Sequence, residues 1–142
     1  MYSKEESKQV REQFWIFFGK RYPRKWILYD TKVKEMNLKF SFNNHEALVS
    51  IDIETLDETI REYYFERFTS LKKLMQTEIS EDLIFEENYV RTSGKVISRI
   101  YLKLAQVNIH NKNQWPEVFE FFHTNMEKIE IFWIEYQDFI TA

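Results

Sequence analysis

The chain has 142 residues, a formal net charge of −3 and an aromatic content of 18%. This length is enough for a substantial core, and we expect one α+β domain over residues 1–142. The acidic balance excludes a uniformly basic surface for nucleic acid, and the absence of cysteine excludes disulfides, thiolate metal sites and a cysteine nucleophile. The charged N-terminus lacks an apolar signal segment and the longest apolar run, residues 14–18, is too short to span a bilayer, so we expect a cytoplasmic protein.

The chain begins with a pattern typical of a helix. Ser3 and Glu6 form a capping box, and the helical pattern after them extends to about Lys20. Residues 26–30 then predict a short first strand.

Two stretches with alternating apolar and polar side chains follow, at residues 36–42 and 48–54. This period of two predicts two strands, and Asn43 and Asn44 favour a tight hairpin between them. After them, apolar residues recur at spacings of three and four up to about Thr77, which predicts a long helix.

A second hairpin is predicted from two strands at residues 83–91 and 95–104, with Gly94 in the turn between them. The last predicted helix, about Pro116 to Ile140, carries two apolar stripes. The main stripe has heptad-like spacing: Trp115, Phe119, Phe122, Met126, Ile129, Trp133, Tyr136 and Ile140.

The second stripe of this helix contains Val118 and the candidate interface residues Phe121, Phe132 and Phe139. One stripe can pack on the sheet, and a second stripe indicates that another helix or another subunit lies alongside. The stripe therefore predicts a homodimer or a protein partner.

The predicted element order is αβββαββα. It favours an α+β two-layer sandwich with a mostly antiparallel five-stranded sheet and the helices on one face. The alternative is a restriction-endonuclease-like fold, because those nucleases share the core order αβββαβ with the first part of this chain.

Two carboxylates, Asp52 and Glu54, lie on one face at the end of the third predicted strand. Restriction-endonuclease-like enzymes use an Asp on the second strand and a (D/E)-x-K motif on the third to hold a divalent metal that activates water. Here Glu replaces the Lys, and the second strand has no carboxylate. Asp52 and Glu54 are thus candidate catalytic residues of a degenerate or divergent nuclease, or else part of a solvated polar face.

Basic residues cluster around the second hairpin. The candidate binding residues there are Arg91, Lys95, Arg99, Tyr101 and Lys103. Basic groups beside an aromatic ring on an open sheet can clamp nucleic acid, whereas on an edge strand they discourage aggregation.

The three histidines have no ligand or nucleophile partner at a diagnostic spacing, and the two glycines form no phosphate-binding loop. We expect no metal and no cofactor.

Three stretches carry a family resemblance: SKEESKQVREQFWIFFGK, IREYYFERFTSLKKLM and SRIYLKLAQVNIHNKNQWPEVFEFF. They resemble the bacterial family called domain of unknown function 4268, whose members occur alone or fused behind nuclease-like domains. The resemblance implies a nucleic-acid or defence context and supplies no catalytic residues.

Together these patterns favour a non-catalytic interaction or assembly module that uses its aromatic C-terminal helix. The alternatives are a divergent metal-dependent nuclease and a nucleic-acid-binding accessory domain. No membrane partner is expected.

Overall fold

A computed structural model describes residues 2–142 and contains helices α1–α4 and strands β1–β4. Their bounds are α1 Lys4–Arg21, β1 Met36–Phe42, β2 Glu46–Ile53, α2 Glu58–Ser70, α3 Lys72–Glu78, β3 Ile84–Val90, β4 Val96–Ala105 and α4 Trp115–Thr141, with a 3-10 turn at Lys112–Gln114. No helix within residues 2–142 is both long and apolar enough to cross a membrane.

The four strands form one sheet in the order β1-β2-β4-β3, and every neighbouring pair is antiparallel. The predicted α+β class with an antiparallel sheet is confirmed. The predicted count of five strands and the order αβββαββα are wrong, because the elements follow one another as αββααββα.

The missing strand is the one predicted at residues 26–30. Leu28 has φ 44°, in the left-handed region that interrupts an extended strand. The backbone N–H of Ile27 donates to the Glu130 carboxylate, and only Leu28 shares a backbone hydrogen bond with β1, accepting from Leu38 at 3.0 Å. Without this strand the αβββαβ order that favoured a nuclease-like core is absent.

The helix predicted to continue to Thr77 is two helices. Leu71 has φ −102° and ψ 13°, which breaks the helical path between α2 and α3. The side chain of Asp57 caps α2 by accepting from the backbone N–H groups of Thr59 and Ile60.

The core lies between the sheet and the helices. On β2 the helix-facing side chains are Ala47, Val49, Ile51 and Ile53, all at most 2% exposed. The main apolar stripe of α4 is covered within this chain, since α1 packs on its first half and α2 on its second: Phe14 contacts Phe122 and Phe68 contacts Trp133. The second stripe is covered only in part, because Val118 and Phe132 are at most 1% exposed whereas Phe139 is 44% exposed.

Candidate functional site

Asp52 lies on the sheet face opposite the helices and is fully buried. The strand register places it opposite Arg99, whose Nε and Nη2 each donate to one carboxylate oxygen at 2.8 Å. Lys39 Nζ lies 3.7 Å from the same carboxylate. Burial alone would lower the pKa of Arg99, but the hydrogen bonds and the charge of Asp52 raise it above its ordinary value.

Glu54 is also held by cations. It forms an ion pair with Arg91, and Lys39 Nζ lies 3.3 Å from its Oε1. Within residues 2–142 no cluster of three or more His, Asp or Glu side chains suits a metal ion. The structure thus brings Asp52 and Glu54 together, but around basic side chains.

The candidate binding residues on this face divide into two groups. Arg91 and Arg99 are engaged by the carboxylates, and Tyr101 is 7% exposed and donates its hydroxyl hydrogen bond to Glu86. Burial, and then this hydrogen bond to Glu86, raise the pKa of Tyr101. Only Lys95 and Lys103 are exposed, so the cluster does not present an open aromatic ring to a ligand.

The candidate interface residues on α4 also lie in different environments. Phe132 is 1% exposed in the core, Phe121 is half-buried, and Phe139 is 44% exposed beneath the guanidinium of Arg67. Phe132 therefore cannot face a partner in this fold.

Sequence reasoning missed a groove beside the free edge of β1. Its volume is about 360 Å³, and it lies between the C-terminal half of α1, residues 22–30 and β1. The lining residues are Trp15, Phe18, Gly19, Tyr22, Arg24, Trp26, Leu28, Tyr29, Leu38, Lys39 and Phe40. We call this site the aromatic groove.

A buried carboxylate on α4 holds one wall of the aromatic groove in place. Glu130 is 3% exposed; it pairs with Arg24 and accepts the backbone N–H of Ile27 at 2.6 Å. Further along the wall, the Thr31 hydroxyl donates to the carbonyl oxygen of Met36 at 2.8 Å. Contacts to two distant elements thus position a segment with no regular secondary structure.

Cations lie against the rings of the groove. The Arg24 guanidinium stacks 3.9 Å above Trp26, and Lys39 Nζ lies 5.7 Å from the centre of the Tyr29 ring. Tyr29 is 69% exposed and Trp15 is 37% exposed, so ring surface remains accessible. Exposed rings in a concave apolar site suit a flat ligand, while these two cations already pair with carboxylates, Arg24 with Glu130 and Lys39 with Glu54.

The sequence does contain a pattern that marks this groove. Residues 22–30, YPRKWILYD, place three aromatic rings among two basic residues between α1 and β1. The strand predicted at residues 26–30 gave no reason to expect that these side chains would meet Trp15 or Lys39. Their convergence depends on Glu130, which is more than a hundred positions away in the sequence.

The fold is α+β with a four-stranded antiparallel sheet, and the groove is a concave site large enough for a small ligand. The chain matches the family described as Domain of unknown function (DUF4268) over residues 10–137, and it belongs to that family. The resemblance inferred from the sequence is confirmed. Searches of curated proteins and of solved structures gave no match to this chain.

Proposed function

We propose that this protein is a cytoplasmic, non-catalytic binding module, formed as a single domain, whose ligand occupies the aromatic groove. The observation that carries the proposal is an open site of about 360 Å³ with accessible rings and cations against them. Its volume falls in the range of small-molecule and cofactor sites, about 300–1,000 Å³.

The contacts of the candidate catalytic carboxylates, Asp52 and Glu54, favour a binding function over metal-dependent hydrolysis. A metal-binding carboxylate needs free oxygens that face the metal, whereas both Asp52 oxygens accept hydrogen bonds from Arg99. Glu54 is engaged by Arg91 and Lys39 in the same way. These pairs give the carboxylates a structural role.

The four tryptophans of the chain offer a direct test with a panel of small aromatic carboxylates and phosphates. Trp15 and Trp26 line the groove, whereas Trp115 and Trp133 are 3% and 4% exposed in the core. We expect these compounds to shift the indole N–H signals of Trp15 and Trp26 in ¹H–¹⁵N NMR spectra. The signals of Trp115 and Trp133 serve as internal controls and should stay in place.

A variant that fills the groove gives the matched control. A side chain at Gly19 would begin in open space, because an added Cβ meets no atom within 4 Å. Gly19→Leu should abolish the shifts, and Gly19→Ala should retain most of them. If no compound shifts Trp15 or Trp26, or if Gly19→Leu leaves the shifts intact, the proposed site is wrong.

Self-association through the outer face of α4 is a second candidate function. Ile131 and Ile134 are 57% and 60% exposed on this face. Ile131 lies about one turn after Lys128, and Ile134 directly precedes Glu135. Two antiparallel copies of α4 would bring each Lys128 close to the partner's Glu135 while the isoleucines pack together.

Light scattering after gel filtration tests this candidate. A dimer at high micromolar concentration should become a monomer in the double variant Ile131→Glu, Ile134→Glu. Lys128→Glu should weaken the dimer, and adding Glu135→Lys should restore it. A monomer for the unaltered chain at that concentration removes this candidate.

A further inference from the structure

The surroundings of the aromatic groove are basic although the chain as a whole is acidic. Within residues 20–39 the basic side chains are Lys20, Arg21, Arg24, Lys25, Lys32, Lys34 and Lys39, and the acidic ones are Asp30 and Glu35. The whole chain has 20 basic and 23 acidic residues. The positive charge is therefore concentrated in the segment that forms the groove wall and enters β1.

Several of these cations form no ion pair within the described residues 2–142. Lys20, Arg21, Lys25 and Lys34 form no ion pair there, in contrast to Arg24, Lys32 and Lys39. Lys25 lies between the groove residues Arg24 and Trp26, and Lys20 follows Gly19. Unpaired cations beside exposed rings favour a ligand with both a flat ring and an anionic group.

We propose that the ligand of the aromatic groove is single-stranded nucleic acid. This proposal rests on the binding function proposed for the groove. A base stacks on the accessible ring of Tyr29, which is 69% exposed, and the adjoining phosphates lie along the cations of residues 20–39. The stacking arrangement and the basic surroundings are the two elements that single-strand-binding surfaces combine.

The groove suits a single strand better than a duplex. Bases in a duplex are stacked on one another, so their ring faces cannot reach Tyr29, whereas a single strand can turn a base outward.

A free nucleotide also combines a flat ring with an anionic group, but the groove lacks a dedicated phosphate-binding loop. The chain has only two glycines, and the end of α1 at the groove is its C-terminal end, where exposed carbonyl oxygens disfavour an anion. Lys20 and Arg21 in the last turn offset those carbonyls. A ring on which a base can stack, with cations dispersed over residues 20–39, therefore favours a longer strand over a mononucleotide.

Fluorescence polarisation tests the proposal with labelled single-stranded DNA and RNA of about 12 nucleotides, and with a DNA duplex of the same length. We expect single strands to bind more tightly than duplex, with an affinity that falls as salt rises. Excess adenosine monophosphate should compete poorly. A mononucleotide that competes as well as an unlabelled strand overturns the proposal, as does equal or tighter binding of duplex.

Substitutions test whether a single strand binds at the aromatic groove. Tyr29→Ala should weaken single-strand binding about 5- to 150-fold, the loss of one stacked base, while Tyr29→Phe should retain most of it. Lys25→Ala with Lys34→Ala should reduce the dependence on salt. Lys95→Ala with Lys103→Ala, at two exposed positions of the second hairpin, is the matched charge control and should bind as the unaltered chain does. Binding that depends on Lys95 and Lys103 and not on Tyr29 overturns the proposal.

The two functional proposals fail in different ways. If no single strand binds but small aromatic anions still shift Trp15 and Trp26, the ligand class is wrong and the binding site stands. If neither strands nor small anions affect these residues, both proposals are wrong.

Discussion

The helix-free face of the sheet and the aromatic groove contain similar residue types, basic and aromatic, but they balance their charges differently. On the sheet face Asp52 and Glu54 each meet a cation, as Asp52 does with Arg99, and Tyr101 is covered and hydrogen-bonded. In the groove, Tyr29 is exposed and Lys25 forms no ion pair among the described residues.

This difference separates a structural network from a binding surface. A buried ion pair whose hydrogen bonds are all made is a costly place to insert a ligand, because the ligand must replace contacts that the fold already makes. An open ring and a solvated cation lose little when a ligand binds them. A basic cluster beside tyrosine is therefore weak evidence of a nucleic-acid site until its ion pairs are known.

Removing the buried charge of the sheet face should have the largest effect on stability. Asp52→Ala leaves Arg99, which is 5% exposed, without its partner, and we expect a loss of about 3–5 kcal/mol in the free energy of unfolding. Urea denaturation measures the loss. A loss below about 1 kcal/mol would show that the pair contributes little to this face.

Glu130→Gln should weaken both the fold and the groove. It removes the charge that holds Arg24 and the Ile27 N–H, and we expect a loss of about 1.5–3 kcal/mol. The small-anion shifts of Trp26 should shrink, because its wall is no longer held in place. Glu120→Gln, at an exposed position of α4, is the control and should change stability by no more than about 0.5 kcal/mol. If the Trp26 shifts are unchanged in Glu130→Gln, the structure of the groove does not depend on this carboxylate.

Tyr101→Phe should cost about 1 kcal/mol near neutral pH through the lost hydrogen bond to Glu86. Because the pKa of Tyr101 is raised in the folded chain, the unfolded chain releases this proton first once the pH exceeds the ordinary value of 10.0. Stability should therefore fall as the pH rises above that value, and it should fall less steeply in Tyr101→Phe. Thermal unfolding across this range tests it, and equal slopes in the two proteins would contradict it.

Gly19→Ala should have the smallest effect and the opposite sign. Gly19 lies in the last turns of α1, and an added methyl group meets no neighbour within 4 Å. We expect a gain of about 0.5–1 kcal/mol, because alanine loses less conformational freedom in a helix. A loss of stability would show that the fold does not tolerate a side chain at position 19.

Local patterns in the sequence determined the α+β class, the capping box of α1 and the face assignments of β1 and β2. The period of a strand or a helix depends on neighbouring residues alone, so alternation at residues 36–42 and 48–54 indicates which side chains face the core. Gly94, with φ 89°, occupies the hairpin turn where the sequence placed it.

Tertiary contacts decided the rest. Residues 26–30 have the composition of a strand, but Glu130 takes the backbone N–H of Ile27 and the chain turns at Leu28. Asp52 and Arg99 are 47 positions apart, so only the pairing of β2 with β4 shows that they neutralise each other. Charge balance and concavity are properties of side chains that meet across the fold. For that reason the sequence located the aromatic and basic residues, and the structure showed which of them remain free to bind.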